Sequence, residues 1–173
     1  MSAAAAEAIV TALGRKVLPI QGDGNCLFRA FGYYFHGSEM MHCKTRMLLS
    51  HFVATNRDRF KGIVLDGDVE NHVRKMQHLT VWGTQVELQA AASLYQVPVY
   101  LLTFSKLHKY SWQCYQPWDS SKLNFPETEP SPTRLSNLDH VELLHLRGCQ
   151  FDCILHREGG FSLDSPALES GRD

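Results

Sequence analysis

A lone cysteine at the end of a polar, glycine-broken turn is the chemically most pointed feature of this sequence: Gly22-Asp23-Gly24-Asn25-Cys26-Leu27-Phe28-Arg29-Ala30-Phe31. The apolar, helix-prone run that follows predicts a helix starting at Cys26. That start places the thiol among unsatisfied N–H groups at the positive end of the helix dipole. A thiol held there is expected to have a lowered pKa, which favours the nucleophilic thiolate. Gly22 and Gly24 allow backbone conformations closed to other residues, and Asp23 and Asn25 can bond neighbouring backbone N–H groups. The same turn could form a nest for an oxyanion. Taken alone, the residues also fit an ordinary turn followed by a cysteine that is simply a small buried hydrophobe.

The run from Asp23 to Ala30 resembles, residue for residue, the nucleophile motif of the ovarian-tumour (OTU) family of cysteine proteases. A second block, Trp82-Gly83 followed by Glu87 and the strand-like stretch from Val97 to Phe104, extends the resemblance over residues 17–155. The resemblance implies an α/β (α+β) papain-like OTU fold, with a small, mostly antiparallel sheet packed between helices. It also implies a cysteine-dependent deubiquitinase that uses no cofactor. Cys26 would be the nucleophile, and Asp23 would help to shape the oxyanion site. The implied partner is ubiquitin or a polyubiquitin chain, its C-terminal tail lying in a groove that leads to Cys26. Narrow access there would favour a Gly-Gly terminus, because bulkier side chains would clash.

A cysteine protease needs a base beside the thiol, to take its proton and later protonate the leaving amine. OTU proteins supply a histidine at the opening of the last strand, in a His-aromatic-Asp pattern, and the matching residues here are Gln150-Phe151-Asp152. Glutamine can hold hydrogen bonds but has no proton that titrates near neutral pH. Two outcomes follow from the resemblance: a deubiquitinase with weak or lost activity, or a catalytically inactive ubiquitin-binding module. In either, Asp152 stands where an acid would orient the imidazole.

Other histidines are poor substitutes. A three-residue turn, Arg147-Gly148-Cys149, pairs Leu146 with Gln150 and His145 with Phe151, which turns His145 to the face opposite Gln150. His140 shares that face but lies about six residues from Leu146, roughly 20 Å along a strand. It becomes the base only if His140-Val141-Glu142 is the motif, and that alignment lacks the aromatic residue and leaves Gln150-Phe151-Asp152 unexplained. A zinc site from His145, Cys149, Cys153 and His156 is disfavoured: there is no Cys-x-x-Cys knuckle, and strand alternation points Cys153 and His156 apart. No metal is expected.

With 173 residues, 44% of them apolar, and a formal net charge of −1, the chain suits one main domain and offers no broad basic face for nucleic acid. Lys106, His108 and Lys109 beside Trp112 could make a stacking platform for single strands, but such a cluster more commonly solvates a loop. No run approaches the ~18–20 apolar residues of a membrane span. The odd, scattered set Cys26, Cys43, Cys114, Cys149 and Cys153 suits a reducing compartment. A cytoplasmic monomer without membrane or nucleic-acid partners is the expectation.

Several elements must position the turn. Residues 1–16 read as an arm carrying an alanine-rich helix, residues 17–157 as the protease-like domain and residues 158–173 as a tail. Val17-Leu18-Pro19-Ile20 is extended, since a residue before proline avoids the helical region. Leu27, Phe28, Phe31 and Phe35 give the helix after Cys26 a broad apolar face, and Ser38 is placed to cap a second helix running to Arg59. A charged surface helix over residues 68–78, with solvated histidines, comes next. Thr84 and Glu87 have capping-box spacing ahead of a helix to Tyr95. Strands are expected at residues 97–104, 111–115, 141–146 and 151–155. The proline-bearing loop of residues 116–137 is long enough to suggest a recognition role.

Overall fold

The helix that begins at the cysteine is the centre of the architecture. In the computed structural model, which describes residues 2–105, 109–126, 138–146 and 150–156, it is the second helix, α2 (Cys26–His36). Nearly every residue of α2 is buried, and Gly37 ends it in the left-handed conformation (φ 75°), where glycine carries no side-chain penalty.

One face of α2 lies on a five-stranded sheet built from β1 (Arg15–Leu18), β2 (Val99–Phe104), β3 (Tyr110–Tyr115), β4 (Val141–Leu146) and β5 (Gln150–His156), in the order β1-β5-β4-β2-β3. Only the β2–β4 pairing is parallel, so the sheet is mostly antiparallel, as the resemblance implied. Leu146 faces Gln150 and His145 faces Phe151, the register expected from the three-residue turn. Val99, Leu101, Val141, Leu143, Phe151 and Cys153 share a core with α2, whereas Val17, Leu102, Leu144 and Ile154 pack against Ala6 and Val10 of α1 (Ala3–Ala12). Coverage on both faces explains the almost unbroken apolar run of β2. The Tyr34 hydroxyl ties α2 to the sheet, lying 2.8 Å from the Glu142 carbonyl and 2.5 Å from the Ile154 carbonyl, which share its one proton.

The other helices flank α2: α3 (His42–Thr55), α4 (Arg57–Phe60), α5 (Val69–Met76) and α6 (Gln85–Tyr95). The single helix expected from Ser38 to Arg59 is divided. Ser38 caps a 3₁₀ turn (Glu39–Met41), and at the far end Asn56 interrupts the helix, its amide donating to the carbonyls of Phe52 (2.9 Å) and Asn124 (2.8 Å). Asparagine breaks helices by this kind of competition with the backbone. The capping box forms as the spacing predicts, with the Thr84 N–H donating to Glu87 Oε2 at 2.7 Å. The expectation of solvated histidines fails at His72, whose Nε2 lies 2.7 Å from Glu87 Oε1, tying α5 to the start of α6. Among the described residues no helix is long and apolar enough to cross a membrane. Lys106 and His108, residues 127–137 of the long loop, the turn at 147–149 and everything beyond residue 156 lie outside the described residues.

Candidate active site

The turn before Cys26 is held by charge. Asp23 accepts the Asn25 N–H through Oδ1 (3.0 Å) and meets the Arg29 guanidinium through both oxygens, at 2.5 Å for Nη2–Oδ2. Arg29 beside it holds the Asp23 carboxyl far below the usual carboxylate range. Asn25 occupies the N-cap position without capping: its Oδ1 instead accepts from Arg46 Nη2 (2.8 Å) and the Thr80 N–H (2.9 Å). Gly24 must be glycine twice over, since its φ is +78° and an added Cβ would lie 2.4 Å from the Thr80 carbonyl oxygen.

Cys26 heads α2 as expected, but the expected fall in its pKa does not occur. The residue is only 3% exposed, and burial pushes the thiol up from its ordinary value, with the Asp23 charge adding to the rise. Backbone N–H groups of Phe151 and Leu27 pull the other way and are outweighed. Desolvation here disfavours the anion more than these dipoles favour it. The Phe151 contact places the peptide joining Gln150 to Phe151 against the thiol, so residues far apart in sequence meet here.

Past Leu18, the last β1 residue paired with β5, side chains continue the link between the two segments. Asp152 Oδ1 accepts the Ile20 N–H at 2.9 Å, and Gln150 Nε2 donates to the Ile20 carbonyl (2.8 Å) and to Asp152 Oδ1 (2.9 Å). Both amide hydrogens of Gln150 are thereby engaged. Its Oε1 faces Gly22, where an added Cβ would lie 2.6 Å away. The arrangement can fix geometry and accept hydrogen bonds, but it has no group that takes up a proton near neutral pH.

The two histidines weighed as substitutes for the base have other partners. His140 Nε2 lies 3.1 Å from Glu142 Oε1, on a carboxylate that also holds Arg15 at 2.5 Å, and its ring meets Tyr100 edge-on. His145 stacks on Phe151 with centroids 4.6 Å apart, and burial lowers its pKa. It lines a cleft of about 360 Å³ with Gly83, Thr84, Leu88, Leu101 and Phe151. A wider groove of about 1000 Å³ between α3 and α5, rimmed by Phe125 and Pro126, contains none of these groups. Of the zinc candidates, Cys153 lies 3.8 Å from the Ala30 carbonyl, while Cys149 and the His156 side chain lie outside the described residues. Trp112 carries the Arg15 guanidinium 5.5 Å above its ring.

Two residues escaped the sequence reading: Arg29, as the partner of Asp23, and Arg46. Arg46 had a visible signal, because it falls three residues before Leu49 and seven before Val53 on the buried stripe of α3, where a charge is out of place.

A model of the OTU-like cysteine protease family matches residues 21–129, more than half of the chain. An Arabidopsis thaliana protein named OVARIAN TUMOR DOMAIN-containing deubiquitinating enzyme 7 is 36% identical over 83 residues, which cover 47% of this chain and 22% of that protein. The chain thus spans about a fifth of that relative's length. The solved OTU domain of OTUD1 superposes with a TM-score of 0.70 at 21% identity, covering 88% of this chain and 93% of that one. An ovarian tumour domain solved in complex with ubiquitin gives a TM-score of 0.56 at 19% identity, covering 81% of this chain and 69% of that one. On the family match, borne out by the shared fold, the chain belongs to the OTU-like cysteine protease family.

Proposed function

We propose that this chain is a ubiquitin-directed OTU domain whose Cys26 lies at the end of the ubiquitin-tail groove and whose hydrolytic activity is strongly attenuated for want of an imidazole at residue 150. The observation that carries this reading is the engagement of Gln150 Nε2 with both the Ile20 carbonyl and Asp152 Oδ1. Of these, Asp152 Oδ1 is fit to orient a histidine ring at residue 150, one of its nitrogens donating to that oxygen and the other left for the thiol. With glutamine present, the thiol proton must leave to solvent and the leaving amine must depart without a positioned acid. Loss of that assistance costs roughly a hundred- to ten-thousandfold in rate. Kinship to deubiquitinating enzymes supports ubiquitin as the ligand.

The test is incubation with ubiquitin carrying a C-terminal electrophile, comparing the chain as it stands with Cys26→Ala, alongside direct measurement of ubiquitin binding. A slow, Cys26-dependent adduct is expected. Binding without any adduct would favour the second reading, a non-catalytic ubiquitin-binding module, which the raised thiol pKa also supports. Absence of binding in every format would sink both.

A further inference from the structure

Arg46 is among the largest fully buried side chains of the described residues, 1% exposed, and it lies on α3 rather than in the motif that carries the thiol. Its guanidinium reaches three neutral acceptors. Nη1 donates to the Met76 carbonyl (3.1 Å), and Nη2 donates to the Val81 carbonyl (2.9 Å) and to Asn25 Oδ1 (2.8 Å). The plane of the group lies 3.7 Å from the centroid of Phe28, one turn into α2. Nε is buried with no hydrogen-bond partner among the described residues.

The first two contacts close the ends of one short turn, residues 76–81, and that turn is the seat of the thiol loop. Thr80 adopts φ +68°, a conformation that non-glycine residues avoid, and from it the Thr80 N–H donates to the same Asn25 Oδ1 (2.9 Å). The Thr80 carbonyl meanwhile lies against Gly24, where no Cβ fits. A strained residue persists only where its surroundings over-determine it. Here the surroundings are Arg46, joining both ends of the turn to the residue preceding Cys26.

From this geometry we infer that Arg46 is a positioning residue for the nucleophile: it holds the 76–81 turn and Asn25 in one rigid unit and so fixes Cys26 against the Phe151 amide. It touches no reacting atom. Its planar fork is what the three diverging acceptors need, and a lysine ammonium keeps the charge but not that reach. The role in catalysis rests on Cys26 being the nucleophile; the mechanical role does not, and the test separates the two.

Alkylation of the folded protein, resolved by mass at each cysteine, is measured in Arg46→Lys and in Asn25→Ala, which removes the shared acceptor and leaves Arg46 in place. Cys153, buried in β5, serves as the internal reference for global opening. Both variants are expected to raise Cys26 labelling about tenfold relative to Cys153, because only the thiol loop has been loosened. Parallel rises at Cys26 and Cys153 in both variants would reduce Arg46 to an ordinary stabilising residue and overturn the inference, as would no change at Cys26. Should Arg46→Lys fail to fold, Asn25→Ala decides alone. No ubiquitin enters this measurement, so failure of the ubiquitin reading leaves it intact. In a Gln150→His background the same loosening should lower kcat while leaving KM for ubiquitin chains within about twofold.

Discussion

The two halves of the site are built with equal care and to different effect. On the nucleophile side, Asp23 is matched to Arg29 and Asn25 to Arg46, so the loop before Cys26 carries compensated charge and little freedom. On the opposite side, Gln150 and Asp152 are fastened as firmly, by two hydrogen bonds to Ile20 and one to each other, all of 2.8 to 2.9 Å. What differs is the proton. An amide reproduces the hydrogen bonds of an imidazole and none of its acid–base behaviour, so the shape of the site is independent of its capacity to turn over. The thiol reflects its setting: burial is the largest influence on its pKa and pushes it up.

The sharpest way to break this contrast is Gln150→His. Chain cleavage should rise by roughly a hundredfold or more, equivalent to ~2.7 kcal/mol of barrier, and should vanish again on Cys26→Ala. Ready Cys26 labelling with no gain in cleavage would move the defect away from residue 150. A second variant weakens the other half. Asp23→Asn leaves the Arg29 guanidinium without its counter-charge and should cost about 2 kcal/mol of stability in denaturant unfolding. The folded-state pKa of Asp23 lies below its unfolded value of 3.8, so its contribution is fully present at neutral pH and is lost as pH falls below 3.8. The difference between the chain as it stands and Asp23→Asn should therefore close in acid.

Labelling at neutral pH should find the exposed Cys43 and Cys114 reacting about tenfold faster than Cys26, reversing the order that helix position alone suggests. The gap should narrow as pH rises past the ordinary thiol value. The smallest effect is expected at His140, where Arg15 keeps Glu142 paired after the imidazole is gone. His140→Ala in the Gln150→His background should leave cleavage within about twofold. Abolished cleavage would make His140 the base and the alignment of the final hairpin wrong.

Much of this was legible where the causes are local. Thr84 caps α6 in the box that its spacing implied, and the Leu146–Gln150 register follows from a turn of three residues. The parallel pairing of β2 with β4 and the lodging of β5 beside β1 were not legible, because they join segments more than forty residues apart whose periodicity fits several partners. The thiol pKa was misjudged for a related reason. A helix terminus can be read from a dozen residues, whereas the burial that outweighs it depends on how the rest of the folded chain packs around the thiol. His72 was misread because its partner, Glu87, belongs to a different helix.

The place of β5 in the sheet has a consequence for the order in which the molecule can form. Among the described strands β5 slots between β1 and β4, so β1 has no strand partner until β5 arrives. Pairings of that sequence separation are the slow steps of folding, because the loop they close must be ordered before any contact rewards it. During synthesis, β1 waits as an open edge, a template for pairing with other chains, and its Arg15 and Lys16 are the kind of charged residues that discourage such pairing. Docking of β5 pairs one edge of β1, which remains the outer strand of the sheet, and delivers the Phe151 amide to the sulfur in the same movement. Until β5 docks, the Cys26 thiol lacks the Phe151 N–H that meets it in the folded protein.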